Sequence, residues 1–375
     1  MLKYNLFIFV MVTMLTACGH FTYYTQAVGG QLEIFGRSQP IENVLEGTDT
    51  PPFLKEQLRN ILEIRAFAIQ ELHLPGDTSY THYADLKRPY AMWSVFATPT
   101  FSLKPKEWCF FFVGCVSYLP YFDAKLAFQL AEKLKAQDYD VYVGGTIAYS
   151  TLGWFNDPVF NTMLDLSKPE MAGLVFHELA HRFLYVPGDT AFNESFATAV
   201  EEIGTARWLA VYGTPEMTVK YQQTKQYETS FTELVLDTRD HLQQLYQENI
   251  PLTHIKSAKE YTLKMLHDHY QVLKKTEWVN FSGYDGWFKD LNNAKLASVA
   301  TYRDYVPAFK ALLAEQNGDL SAFYQAAIHL GKLPESQRHA RLQQLHTTFA
   351  YQARLIPTQL LPVVSQKYHS KLVRY

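Results

Sequence analysis

The segment that most constrains this chain is Phe176-His177-Glu178-Leu179-Ala180-His181. On a strand, two histidines four residues apart share a face but stand about 13 Å apart. Only on an α-helix do they lie close enough on one face to share one ion. From that face both imidazoles reach a single Zn2+, and Glu178 is placed to take a proton from a water held there. In a 375-residue chain with 13 histidines, chance produces such a motif about 0.04 times, so the flanks must decide. Ser167 with Glu170 forms a capping-box pattern and Pro169 falls in the first turn, which starts a helix at that point. Leu174, Val175 and Leu179 give the helix a buried side, and Gly173, one turn before His177, leaves space for a ligand. Val186-Pro187-Gly188 should end it, and Asp189 or Thr190 should cap a second helix.

The third ligand must come from that second helix. A three-histidine site would need glycine and histidine three and six residues after His181, where Leu184 and Pro187 stand. Glu194, in Asn193-Glu194-Ser195-Phe196-Ala197, lies 13 residues after His181, across one turn on an antiparallel neighbour. Glu201, seven residues later on the same face, can orient a ligand without binding the ion.

The N-terminus reads as an export signal. Lys3 precedes an apolar run from Leu6 to Leu15 that is too short for a permanent membrane span. The run ends in Leu15-Thr16-Ala17-Cys18, which resembles the lipobox of bacterial lipoproteins, where the cysteine is diacylated and becomes the new N-terminus. Residues 1–17 are then the signal peptide and 18–375 the mature chain, anchored to a membrane through Cys18. Gly19, rather than aspartate, after the cysteine implies the outer membrane, with the protein facing the periplasm. In that oxidising compartment the two remaining cysteines, Cys109 and Cys115, read as a short-loop disulfide.

Composition excludes whole classes. At 47% apolar residues the chain can bury a core, and a net charge of −3 argues against nucleic-acid binding by a basic surface. Within 18–375 we expect one unit of α+β class, mostly α, with a small edge sheet and a helical C-terminal half. Its parts are residues 18–160, the metal-binding helix pair at 161–211, and helices over 212–375.

Residues 19–75 read as helical, with apolar spacing of three and four over Gln31–Phe35 and Phe53–Leu74. Tyr90–Thr98 and Tyr139–Val143 read as strands, Ala124–Lys135 as a helix capped by Asp123, and Gly144-Gly145 as a loop. Helical breaks are expected near Gly213 to Pro215, Pro251, Gly283, Gly318 and Pro334. The stretch from Gly144 to Trp154 is either the edge strand along which a peptide lies or a structural loop. From Ser336 the charged side chains are all basic, which suits a solvated surface or contact with lipid phosphates. Nothing in the sequence sets an oligomeric state.

The paired motifs resemble the gluzincin metallopeptidases. Asn193-Glu194-Ser195-Phe196-Ala197 with Glu201 is similar to the second helix of aminopeptidase-N-type enzymes, which reads N-E-G-F-A with a further Glu at the same offset. The gap between His181 and Glu194 is shorter than in those enzymes. The whole mature chain resembles the bacterial predicted-aminopeptidase lipoproteins, through Trp108-Cys109…Gly114-Cys115, Ala148 to Phe155, the metal motifs and Leu291-Asn292-Asn293-Ala294.

The resemblance implies a zincin-like fold and a zinc peptidase acting on peptides. His177, His181 and Glu194 would hold one Zn2+, with Glu178 as the base. Gluzincins also use a Tyr or His to stabilise the oxyanion, and Tyr302 is the candidate. An aminopeptidase further needs a carboxylate for the free amine, for which Asp157 and Glu202 are the candidates. The competing reading is an envelope lipoprotein that binds peptide or assists assembly and keeps the helix pair only as scaffold. Such a protein usually loses the base or a ligand, and none is lost here.

Overall fold

The computed structural model describes residues 22–110, 114–279 and 281–355. Cys18 with the signal segment, and the basic residues Lys367, Lys371 and Arg374, lie outside them. The described chain is α+β and mostly helical, with small sheets. It divides into two compact units, one ending at Val306 and the other starting at Pro307.

The first unit opens with helix α1 over residues 22–37. A strand β1 (Ser38–Pro40) follows, then α2 (Ile41–Glu46) and α3 (Pro52–Gln70). The region expected to be helical over 19–75 is thus three helices interrupted by a short strand and a turn. Pro40 sits at the strand's end, and Pro51 and Pro52 mark a fresh helical start, because proline sets φ while lacking an N–H. Two further short strands, β2 (His82–Ala84) and β8 (Val159–Phe160), complete a sheet of order β1-β2-β8. None of these three strands was legible in the sequence.

The second sheet positions the site. It runs β6 (Leu119–Tyr121), β3 (Met92–Pro99), β7 (Tyr139–Thr146), all antiparallel to their neighbours, with β7 at one edge. The strand β7 extends through Gly144 and Gly145, where a loop was expected. Trp93 pairs with Gly145, and a Cβ on Gly145 would fall 2.4 Å from the Tyr90 ring. The glycine thus admits an aromatic cover over a continuing strand. Helix α4 (Ala124–Lys135) packs on this sheet, and Asp123 caps it by accepting from Lys125 N and Leu126 N.

Between β3 and β6 a hairpin is formed by β4 (Trp108–Phe110) and β5 (Gly114–Val116). Cys109 opposes Cys115 in its ladder, and the two form a disulfide. Gly114, at φ +79, lies so close to the chain at Pro187-Gly188 that a Cβ would fall 2.5 Å from Gly188 N.

The remaining helices of this unit are α5 (Lys168–Phe183), α6 (Thr190–Tyr212), α7 (Pro215–Leu245), α8 (Leu252–Thr276) and α9 (Asn293–Arg303). Helices α7 and α8 share an aromatic core, in which Tyr270 stacks on Phe288 at 3.8 Å and Phe231 on Tyr284 at 4.1 Å. The second unit holds α10 (Val306–Glu315) from its second residue on, α11 (Leu320–Gly331) and α12 (Glu335–Leu355). Two of the residues read as a solvated basic surface are committed within it. Arg338 is buried and donates to the carbonyls of Gly331 and Leu333, and Arg341 pairs with Glu315 at 2.8 Å.

Candidate metal centre

The two metal-motif helices are joined by a short, tightly bonded turn. Glu170 accepts from Ser167 N at 2.9 Å, which satisfies an end of α5. The helix stops at Phe183, three residues before the expected break, because Leu184 turns to extended backbone. Asn193 then clamps the turn: its side chain accepts from Val186 N at 2.7 Å and donates to Val186 O at 2.8 Å. Asp189 caps α6 by accepting from Phe192 N. These bonds fix the rotation of α6, so the next residue, Glu194, turns toward α5.

Three ligand-type atoms converge as a result. His177 Nε2 lies 3.2 Å from His181 Nε2, and Glu194 Oε2 lies 3.4 Å from each. A tetrahedral ion with bonds of 2.0–2.1 Å to nitrogen and oxygen needs ligand–ligand edges of about 3.3 Å. The triangle matches that requirement, and its donor set is compatible with zinc. His177, His181 and Glu194 are the one such group among the described residues.

The tautomer needed for ligation is set from behind. His177 Nδ1 meets Glu201 Oε2 at 3.2 Å, so when the ring is neutral its proton is held on Nδ1 and the Nε2 lone pair is left for a metal. Lys225 backs Glu201 at 3.5 Å and pairs with Glu228 at 2.7 Å. Gly173 serves this arrangement, since a Cβ there would fall 3.1 Å from Glu201 Cγ. Its open space therefore admits the Glu201 side chain, where the sequence suggested room for a ligand. His181 Nδ1 is buried without a hydrogen-bond partner.

The local electrostatics follow from burial and pairing. Burial opposes the charge on His177, but hydrogen bonds to Glu194 and Glu201 outweigh it and lift the ring to about 10 in the metal-free protein. Burial would raise Glu194 and Glu201 as well. The histidines hold Glu194 well below the usual carboxylate range, and His177 with Lys225 does the same for Glu201. Glu178 lacks such a hydrogen bond, and burial pushes it up to about 7 against the opposing pull of His177 and His181. A carboxylate poised near neutrality is suited to proton transfer.

Two tyrosines border the centre. Tyr302, on α9, lines the cleft with Tyr118, whose hydroxyl donates to Glu194 Oε1 at 3.1 Å. Burial and the Glu194 charge raise both phenols well above 10, which keeps them protonated donors. Tyr118 escaped the sequence reading. It lies 76 residues before Glu194, in a short loop after the disulfide hairpin, where no motif marks it.

The two carboxylates considered for an amine are committed elsewhere. Asp157 is buried, holds Thr151 N and Oγ1, and pairs with Arg182 at 3.2 Å. Glu202 pairs with Arg303 at 2.8 Å. Neither lines the cleft that contains His177, Glu178, His181 and Glu194, a cavity of about 1240 Å³. Thr146, Ile147, Ala148 and Leu152 do line it. The stretch from Gly144 to Trp154 is thus strand at its start and loop beyond Thr146, and both parts reach the site.

A helix pair that aims two histidines and a glutamate at one point, with a buried glutamate alongside and an open cleft, defines a candidate hydrolytic metal centre. Residues 22–342 match the family described as "Putative aminopeptidase", and the chain belongs to that family. Membership supports a peptidase function in general terms. No curated protein and no solved structure matches the chain.

Proposed function

We propose that the protein is a zinc-dependent peptidase of zincin-like, gluzincin type. The observation that carries this reading is the convergence of His177 Nε2, His181 Nε2 and Glu194 Oε2 beside Glu178 in one cleft. Zinc in that position would polarise the scissile carbonyl and acidify a water. Glu178 takes the proton of the attacking water and passes it to the leaving amine. Glu201 keeps the Nδ1 proton of His177 in place, and Tyr118 holds Glu194 in register.

Tyr302, a protonated phenol in the cleft lining, supplies the oxyanion donor to the developing charge. The peptide lies extended along the free edge of β7. One end of that edge is occupied, because Asn292 donates to Val141 O, and Val143–Thr146 leads to the cleft. The family description favours removal of N-terminal residues. The sequence signals for export and acylation at Cys18 add a location on the outer membrane, facing the periplasm.

The test is metal analysis combined with hydrolysis of free and N-blocked peptides by the wild type and Glu178→Gln. Both proteins should carry near-stoichiometric zinc, and the substitution should lower kcat at least about 100-fold. A metal-free wild type, or undiminished activity in Glu178→Gln, removes the proposal. Cleavage restricted to blocked peptides removes only the aminopeptidase part.

A further inference from the structure

One wall of the metal cleft is helix α1, and its two sides differ in chemistry. The inner side is pinned. Gln26 accepts from Phe122 N at 2.9 Å and Glu33 pairs with Arg88 at 2.7 Å, while Gln31, on the cavity side, accepts from the Tyr149 hydroxyl at 2.8 Å. A Cβ on Gly30 would fall 2.2 Å from the Phe122 ring, so the helix cannot roll on this seat. Along the other side Tyr24, Val28, Leu32 and Phe35 recur at intervals of three and four and remain in solvent. Val28 is 58% exposed and Leu32 61%. Across from this stripe the loop after β7 presents Trp154, 67% exposed, and Phe155, whose ring meets Phe35 at 5.0 Å.

A contiguous apolar patch left in water marks a binding surface. Here the occupant follows from continuity. All six side chains line the same cavity as His177, Glu178 and Glu194, and its volume of about 1240 Å³ accommodates several residues of a chain. The other carboxylates lining it are already bonded: Glu170 to the start of α5, Glu194 and Glu201 to the histidines, Glu228 to Lys225 and Arg303. The α1 wall of the cleft therefore recognises side chains by apolar contact.

We infer that α1 and the Trp154–Phe155 loop form a substrate subsite for bulky apolar side chains. On this view, and resting on the peptidase reading, the peptides cut here carry aromatic or branched aliphatic residues near the scissile bond.

The experiment measures binding separately from turnover. The full-length chain bearing Glu178→Gln is titrated by fluorescence anisotropy into a labelled hexapeptide with Leu-Phe at its centre and into its Ser-Ser counterpart. Burying two large apolar side chains should favour the Leu-Phe peptide at least about tenfold. Val28→Ser with Leu32→Ser, both on an exposed helix face, should weaken its binding about tenfold while zinc content stays the same. Equal affinity for the two peptides, or indifference to the double substitution, overturns the inference. So does loss of co-sedimentation with phosphatidylglycerol–phosphatidylethanolamine vesicles at unchanged peptide affinity, which would assign the stripe to a lipid surface. Cleavage of both peptides by the wild type without preference rejects the subsite and keeps the peptidase. Preferential binding with no cleavage rejects the peptidase and leaves an apolar peptide-binding cleft.

Discussion

Glu201 illustrates how the candidate metal centre extends beyond His177, His181 and Glu194. It sits on α6 seven residues after Glu194, fills the gap opened by Gly173 and takes the Nδ1 side of His177. Removing its charge leaves His177 free to rotate or to change tautomer. Glu201→Gln should weaken zinc binding about 10–100-fold, read by competition with a chromogenic chelator. Lys225→Met should act in the same direction but more weakly, since it touches Glu201 only at 3.5 Å. Among the tyrosines the expected outcomes differ in kind. Tyr302→Phe should lower kcat by roughly 100-fold with zinc retained. Tyr118→Phe should instead loosen Glu194 and show first in zinc affinity. Residue identity alone could not separate them, because each tyrosine's role depends on which atom lies across the cleft.

At the scale of elements, the α5–α6 turn is the part that converts sequence spacing into coordination geometry. Its stability rests on the buried Asn193 side chain, which satisfies both polar groups of Val186. Asn193→Ala leaves a buried N–H and C=O unpaired and should cost about 1–3 kcal/mol in denaturant unfolding, with zinc affinity falling as well. The β4–β5 hairpin packs against the same turn through Gly114 and Gly188. Cys109→Ser with Cys115→Ser opens a short loop whose closure is worth about 2 kcal/mol. The expected result is a lower unfolding midpoint in non-reducing buffer that matches the reduced wild type. A midpoint unchanged by the double substitution would show that the hairpin is held by packing alone. Helix ends and helix breaks were legible because proline, glycine and capping residues act locally, as at Asp123, Asp189 and Pro251. The strands β1, β2 and β8 were not, since three-residue segments carry no periodicity and exist only through their pairing.

For the whole molecule, the proposed zinc would compete with protons for the same atoms. In the metal-free protein His177 is lifted from its ordinary 6.5 to about 10. Its contribution to stability is therefore complete below 6.5 and lost as pH rises through 10. Glu178, lifted from 4.5 to about 7, acts in the same sense, fully below 4.5 and lost through 7. Glu194 and Glu201 are depressed, so their contribution holds above 4.5 and disappears as pH falls through their lowered values. Zinc requires neutral histidine, so loading releases the proton that the metal-free site holds on His177. The gap in Tm between zinc-loaded and chelator-stripped, desalted protein should widen from pH 6 to pH 9. A gap that is constant across that range would argue against ligation by His177.

What the sequence determined by itself is chemistry at helical spacing. The i and i+4 histidines, the adjacent Glu178 and the capped helix that carries them follow from 3.6 residues per turn and from local hydrogen bonding. Glu194 and Glu201 followed too, because a seven-residue step keeps both on one face. The tertiary structure alone decided what surrounds that helix pair. It brought in Tyr118 and the apolar stripe of α1, committed Asp157 and Glu202 to other partners, and continued β7 through its glycines to the cleft. Such contacts join residues far apart in the chain, where packing and burial decide the outcome and no local preference records it.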